Sequence, residues 1–292
     1  MPQRTAPSVP PAVAEWLQVT GHGKATDIEQ LHGGAISSTT RITGSSGTSW
    51  VLKQSANAPA DLYRREAEGL RRLAAAGALP IPKTRLCAEQ YLLLEDRGSH
   101  AFTRDTWVQL GRGLARQHQV TSERFGYDTD NYIGRMVQRN PWTDDGHAFF
   151  AEHRLLSWLD APACAQALGQ KNRARLERLA HRLPDLIPRQ PAALLHGDLW
   201  HANILPSHYG PPSLCDPAVY YGWPEAELSM LYGCGPVPED FSAAYEELHP
   251  LEDDWRDRLP ILHLRELLSV LAHFGDNDET LHRITEVLDV YT

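Results

Sequence analysis

The spacing of apolar positions changes near residue 103. Before it, runs rich in Ile, Thr, Val and Trp at 27–32, 36–43 and 48–54 are separated by Gly33-Gly34 and by the turn Gly44-Ser45-Ser46-Gly47. That pattern predicts an antiparallel meander. A short helix over 11–19 precedes it, and strong helix formers over 59–76, halted at Gly77, predict a longer helix. Two further strands follow at 84–88 and 91–95. Beyond 103 the period is helical over 104–120, 146–159, 163–183, 224–232, 238–248, 257–274 and 278–290, with two short apolar runs at 192–195 and 213–215. The expectation is an α+β chain of two lobes: a β-sheet part over 1–97 and a larger, mostly helical part over 98–292, joined near Glu95–Gly98.

Composition narrows the classes. Of 292 residues, 42% are hydrophobic and 22% charged, enough apolar side chain to bury a sizeable core. A formal net charge of -9, with no basic run to offset it, argues against a nucleic-acid partner. Cys87, Cys164, Cys215 and Cys234 form no CxxC pair, so neither a disulfide framework nor a zinc knuckle is expected. No apolar stretch has the length of a membrane span and the first residues lack a signal-peptide core, so a cytoplasmic protein is expected.

Candidate chemistry sits at the ends of the two apolar runs. His196-Gly-Asp-Leu-Trp-His-Ala-Asn203 follows Ala192–Leu195, and the offset from Asp198 to Asn203 is that of a kinase catalytic loop. There the Asp takes the acceptor proton and the Asn holds magnesium. A polar turn capped by Asp198 is the plain alternative. Asp216, delivered by Ser213-Leu214-Cys215, suits a second metal ligand; taken alone, such a residue is more often a strand-ending Asp that caps the next turn. The Asp128, Asp130, Asn131 cluster lacks the later positions of a calcium loop and reads as a polar turn.

In the N-terminal part Lys53 ends the strand Trp50-Val51-Leu52 and shares a face with Val51. On the helical period Glu66 lies in the stripe Leu62, Leu70, Leu73, where a carboxylate is costly unless paired. Lys53 is its natural partner, and the pair would aim an ammonium at nucleotide phosphates. Gly33 and Gly34, with Ser37 and Ser38, could cradle phosphate by backbone and hydroxyl groups, although most Gly-Gly pairs are hairpin turns. His118 falls on the stripe of Trp107, Leu110 and Leu114, as a satisfied core histidine.

These segments resemble the fructosamine/ketosamine-3-kinase family of aminoglycoside-phosphotransferase-like kinases, which have the bilobal protein-kinase-like fold. The likeness runs through Leu194–Asn203, Asp216–Leu228 (DPAVYYGWPEAEL), Phe125–Trp142, Phe149-Phe150, Arg154-Leu155, Arg258 and His273-Phe274-Gly275. The resemblance implies ATP- and Mg2+-dependent phosphorylation of the 3-hydroxyl of a ketosamine, and with it deglycation repair. It implies Asp198 as base, Asn203 and Asp216 as magnesium ligands, and Lys53 with Glu66 as phosphate clamp. It further implies Trp200 and His201 beside the acceptor, with a buried anchor for the catalytic loop as the other reading of Trp200; Tyr220, Tyr221 and Trp223 lining the acceptor side, although aromatic clusters more often belong to a core; and the hinge at Glu95 and Asp96 offering backbone groups to adenine. His201-Ala202 departs from the family's usual small pair, so an imidazole there would narrow the acceptor pocket. Two other readings stand beside this one: a kinase for another small-molecule hydroxyl, such as an aminoglycoside, amino alcohol or sugar, and a nucleotide-binding pseudokinase.

Overall fold

A computed structural model describes residues 9–31, 37–98, 100–275 and 277–292. Helix α1 (Pro11–Val19) leads into β1 (Ala25–Leu31), β2 (Ser38–Gly44) and β3 (Ser49–Gln54), then α2 (Leu62–Ala76), β4 (Thr84–Cys87) and β5 (Tyr91–Glu95). The strands form one antiparallel sheet in the order β1-β2-β3-β5-β4. Alternation along β3 sends Trp50 and Leu52 to one face, where they pack with Ile42, Leu93 and the Val13 and Leu17 stripe of α1. Val51 and Lys53 take the other face, toward α2. Helix α2 buries Tyr63, Ala67, Leu70 and Leu73. It stops at Gly77, whose φ of 66° is left-handed and so favours glycine. Its first helical residue is Leu62 rather than 59, because Pro59 begins a turn closed by Leu62 N donating to Pro59 O at 3.0 Å.

The helical lobe contains α3 (Arg104–His118), β6 (Thr121–Ser122), the hairpin β7 (Asn131–Ile133) and β8 (Met136–Gln138), α4 (Gly146–Phe150), α5 (Pro162–Leu186), β9 (Ala192–Leu195), β10 (Ile204–Leu205), β11 (Ser213–Leu214), β12 (Tyr220–Gly222), α6 (Pro224–Gly233), α7 (Glu239–Glu246), α8 (Trp255–Phe274) and α9 (Asp278–Tyr291). All four residues of β9 are buried, paired between β12 and β6. Two predicted helices are interrupted. The segment 146–159 passes from α4 into a wide π turn at Ala151–Leu155 and a tighter 3-10 turn at Leu156–Asp160. The widened turn carries the buried Arg154, which donates to Arg139 O and Asn140 Oδ1 and lies 3.9 Å from the ring centre of Tyr220. Helix α5 breaks at Gly169, whose φ of 64° and ψ of 171° are far from helical.

The lobes meet along several polar contacts. Leu214 N donates to Pro80 O at 3.1 Å, Arg97 Nε to Ser213 Oγ at 3.1 Å, and the Tyr132 hydroxyl of β7 to Asp61 Oδ1 at 2.5 Å. Among the described residues no helix is long and apolar enough to cross a membrane.

Candidate active site

Strand β9 delivers the loop His196–Asn203 to the junction of the lobes, and the loop is fixed through its backbone. His196 N and Gly197 N donate to the carboxylate of Glu227 on α6 at 3.0 and 2.7 Å. Gly197 O accepts from Arg265 Nη2 at 2.7 Å. A side chain at Gly197 would place its Cβ 2.0 Å from Ala218 O, at a φ of 81°, so this position requires glycine. Glu227 also receives His118 Nε2 at 3.1 Å, and His118 is the buried, satisfied histidine expected. Burial opposes charge on Glu227, yet His118, His196 and the Gly197 amide hold its pKa below the usual value, so the loop is anchored on an anion.

Within this frame Asn203 Nδ2 donates to Asp198 O at 2.7 Å and to Asp198 Oδ2 at 3.0 Å. Burial pushes the Asp198 carboxyl up to about 7, with Arg265 pulling the other way. A carboxyl that titrates near neutrality is matched to general-base work. Asp216 follows β11 with a φ of 56°, the left-handed non-glycine residue among those described. Such a backbone is strained, and its effect here is to turn the carboxylate toward the first lobe. There Lys53 Nζ lies 2.8 Å from Asp216 Oδ1 and 2.8 Å from both oxygens of Glu66. Burial works against charge on Lys53, but Asp216 and Glu66 outweigh it and raise its pKa, so the ammonium is retained. One ammonium between two carboxylates leaves an excess negative charge, and burial pushes Glu66 up.

Lys53, Glu66, Asp198, Asn203 and Asp216 thus line one cavity of about 450 Å³, together with Ser37, Trp200 and residues of α8. Trp200 is 38% exposed and opens onto it. The donor set suits a hard cation: the Asn203 amide nitrogen is spent on Asp198, which leaves its side-chain oxygen uncommitted in a residue that lines the same cavity as Asp216. Among the described residues no group of three His, Cys, Asp or Glu forms a cage of its own. Two protein oxygens fit Mg2+, which takes its remaining ligands from phosphate and water.

Other expected site residues lie elsewhere. Ser37 lines the cavity and bonds the Tyr63 hydroxyl at 2.9 Å, whereas Ser38 begins β2 and donates to Gln30 Oε1 at 3.3 Å. Gly33 and Gly34 lie outside the described residues. The Glu95 and Asp96 side chains serve the hinge itself: Glu95 accepts from Arg97, and Asp96 accepts from Arg41, Ser49 and Gly98 N. Three placements correct the sequence reading. His201 faces away from the cleft, with Nε2 3.2 Å from Pro236 O and its ring edge-on to Trp107, so it does not narrow the acceptor side. Tyr220 and Trp223 are each 2% exposed. Tyr220 lies beneath Arg154, and Trp223 packs with Phe125, Phe150 and His147; packing rather than ligand contact holds both. The Asp128–Asn131 turn is structural, with Asp130 accepting from Asn140 N and Asn131 donating to Val219 O.

Sequence reasoning missed Glu227, Arg265 and Glu266. A signal for the first existed. Helix α6 is buried almost all round yet carries Glu225 and Glu227, and acidic residues in such a helix demand buried partners. Glu225 finds Arg258, bidentate at 2.7 and 2.6 Å.

A β-sheet lobe over a helical lobe, with a lysine–glutamate pair facing a catalytic-loop Asp and Asn and a strand-end Asp, defines a kinase of the protein-kinase-like class. An aminoglycoside phosphotransferase shares this fold at a TM-score of 0.64 and 17% identity, over 95% of this chain and 99% of that one. The chain belongs to the fructosamine kinase family, whose model matches residues 10–289. A probable ketoamine kinase of Enterococcus faecium is 32% identical over 259 residues, covering 84% of this chain and 88% of the relative. The chloroplastic protein-ribulosamine 3-kinase of Arabidopsis thaliana is 30% identical over 278 residues, 90% and 82% of the two chains. A solved structure from Thermobifida fusca designated a fructosamine-3-kinase superposes with a TM-score of 0.84 at 28% identity, over 96% of this chain and all of that one.

Proposed function

We propose that this protein is an ATP-dependent ketosamine 3-kinase, transferring the γ-phosphoryl group to the 3-hydroxyl of a sugar–amine adduct. The observation that carries the reading is the convergence of Lys53, Glu66, Asp198, Asn203 and Asp216 on one cavity, in a chain whose relatives are named ketoamine and ribulosamine kinases. Residues 1–97 act as the nucleotide lobe and 98–292 as the catalytic and acceptor lobe. Lys53, held by Glu66, binds the α- and β-phosphates, Ser37 on the same cavity, with Gly33 and Gly34 before it in the chain, serves phosphate binding, and the main chain of the hinge at Glu95 and Asp96 meets adenine. Asn203 and Asp216 hold Mg2+, which when bound offsets negative charge on the phosphate oxygens.

Asp198 accepts the proton of the acceptor hydroxyl as its oxygen bonds to the γ-phosphorus and the bond to ADP breaks. Asn203, donating to Asp198 Oδ2, orients that carboxylate, and Trp200 offers a flat apolar surface to the acceptor. Phosphorylation at this position would labilise the adduct, which gives the protein a role in deglycation repair, and the charge balance and free cysteines suit the cytoplasm. The test is a panel of ribulosamine, fructosamine, aminoglycoside and amino-alcohol acceptors with ATP and Mg2+, read by mass spectrometry. Phosphorylated ketosamine is the expected product; phosphorylation confined to the other acceptors overturns the assignment.

A further inference from the structure

Among the described residues four carboxylates line the cleft: Glu66, Asp198, Asp216 and Glu266. The first three are engaged by the phosphoryl-transfer machinery, and Glu266 is not. It lies on α8, whose cleft-facing stripe is Arg265, Glu266, Ser269, Val270, His273 and Phe274, and its side chain is only 8% exposed. One of its oxygens accepts from Arg265 Nη1. The other has no hydrogen-bond donor, and its polar neighbour is His263 Nδ1 at 3.7 Å, itself without a partner. Burial pushes His263 down to about 4, so the neutral ring brings no charge to Glu266. Arg265 cannot neutralise this side of the cleft alone, because its charge also acts on Asp198 and its Nη2 is spent on Gly197 O and Gln138 Oε1. Asp198 and Glu266 therefore draw on the same Arg265 guanidinium, with Arg154 acting on Glu266 without a hydrogen bond to it, and a half-satisfied buried carboxylate favours an arriving cation.

A ketosamine brings one. Its protonated amine sits on the first carbon of the sugar, two carbons from the hydroxyl that Asp198 would deprotonate, so a base and a cation site in one cleft match the two ends of that fragment. The geometry points to Glu266 as the binding residue for the acceptor's ammonium group, making the α8 wall a cation subsite that separates ketosamines from neutral ketoses. This rests on the ketosamine reading above and adds to it the residue that reads the amine.

The test compares N-butyl ribulosamine with the ether in which oxygen replaces that nitrogen, in the wild-type protein and in Glu266→Gln. A charge-assisted hydrogen bond predicts a KM for the amine about 10- to 100-fold below that of the ether in the wild type. In Glu266→Gln the amine's KM rises to meet the ether's, with kcat and the ether's KM little changed. Equal KM values for the two acceptors in the wild type overturn the inference without recourse to any variant. A variant in which both acceptors lose kcat together overturns it too, because Glu266 would then act by holding Arg265 and the catalytic loop. Phosphorylation of neither acceptor by the wild type removes the ketosamine reading and the amine subsite with it, whereas turnover of both with equal KM removes the subsite alone.

Discussion

Glu227 accepts the backbone N–H of Gly197 at 2.7 Å from a side chain with no solvent exposure, tying helix α6 to the turn that carries Asp198. Substituting Glu227→Ala would strand the amides of His196 and Gly197 and the His118 ring in a dry interior. Removing one member of a buried charged network costs about 3–5 kcal/mol. Urea denaturation is expected to show a loss of that order, with turnover falling because Asp198 is no longer positioned. Glu227→Gln, which keeps the shape and one acceptor oxygen, should lose clearly less stability.

Lys53 is the second point of leverage. Its ammonium is the shared partner of Glu66 and Asp216, so Lys53→Met leaves the largely buried Glu66 carboxylate and the part-exposed Asp216 carboxylate without their common cation. Removing a preorganised cation at developing phosphate charge typically costs about 100- to 1000-fold in rate. Steady-state kinetics should show a loss of that size in kcat/KM for ATP, while the acceptor's KM changes little; unaltered ATP kinetics would contradict the clamp.

The pH dependence follows from Asp198. Its carboxyl is pushed up to about 7 by burial, and the base role proposed for it requires the deprotonated form. The expected kcat/KM for the acceptor rises with pH and levels off above an apparent pKa near 7. Asp198→Asn should lower turnover by about 100- to 10,000-fold and leave ATP affinity largely intact. The same shift sets a stability sign. A folded pKa above the unfolded one means that the protonated form favours folding and that this contribution is lost as pH rises through 7. Asp198→Asn, which carries no charge to bury, should therefore melt higher than the wild type at pH 8, and the difference should vanish by pH 4. A lower melting temperature at pH 8 would contradict the burial argument.

Chelation tests the oxygen pair. With EDTA in excess over Mg2+, ATP turnover is expected to cease and to return on adding Mg2+. Asp216→Asn should raise the Mg2+ concentration that supports half-maximal rate, since one of two protein oxygens loses its charge.

Much of this site was legible in the linear chain. Glu66 was exposed by its place in an apolar stripe, Lys53 by strand alternation, and Asp198, Asn203 and Asp216 by fixed offsets after buried strands. Residues whose partners are backbone groups far along the chain left fainter marks. Glu227 meets amides 30 and 31 positions before it, and Arg265 a carbonyl 68 positions away, distances at which periodicity carries no information. Tyr220 and Trp223 were misplaced for the opposite reason: aromatic side chains beside a catalytic motif look the same in sequence whether they face ligand or core. Strands of two or three residues, such as β7, β8 and β12, are too short to display alternation at all.

The hairpin of β7 and β8 springs from the helical lobe yet grips the opposite one, through the Tyr132 hydroxyl on Asp61. Parting the two lobes means unfastening this phenol from its carboxylate. Tyr132→Phe removes that clasp and leaves Lys53, Glu66, Asp198, Asn203 and Asp216 in place, so the grip between the lobes can be loosened apart from the groups of the cavity.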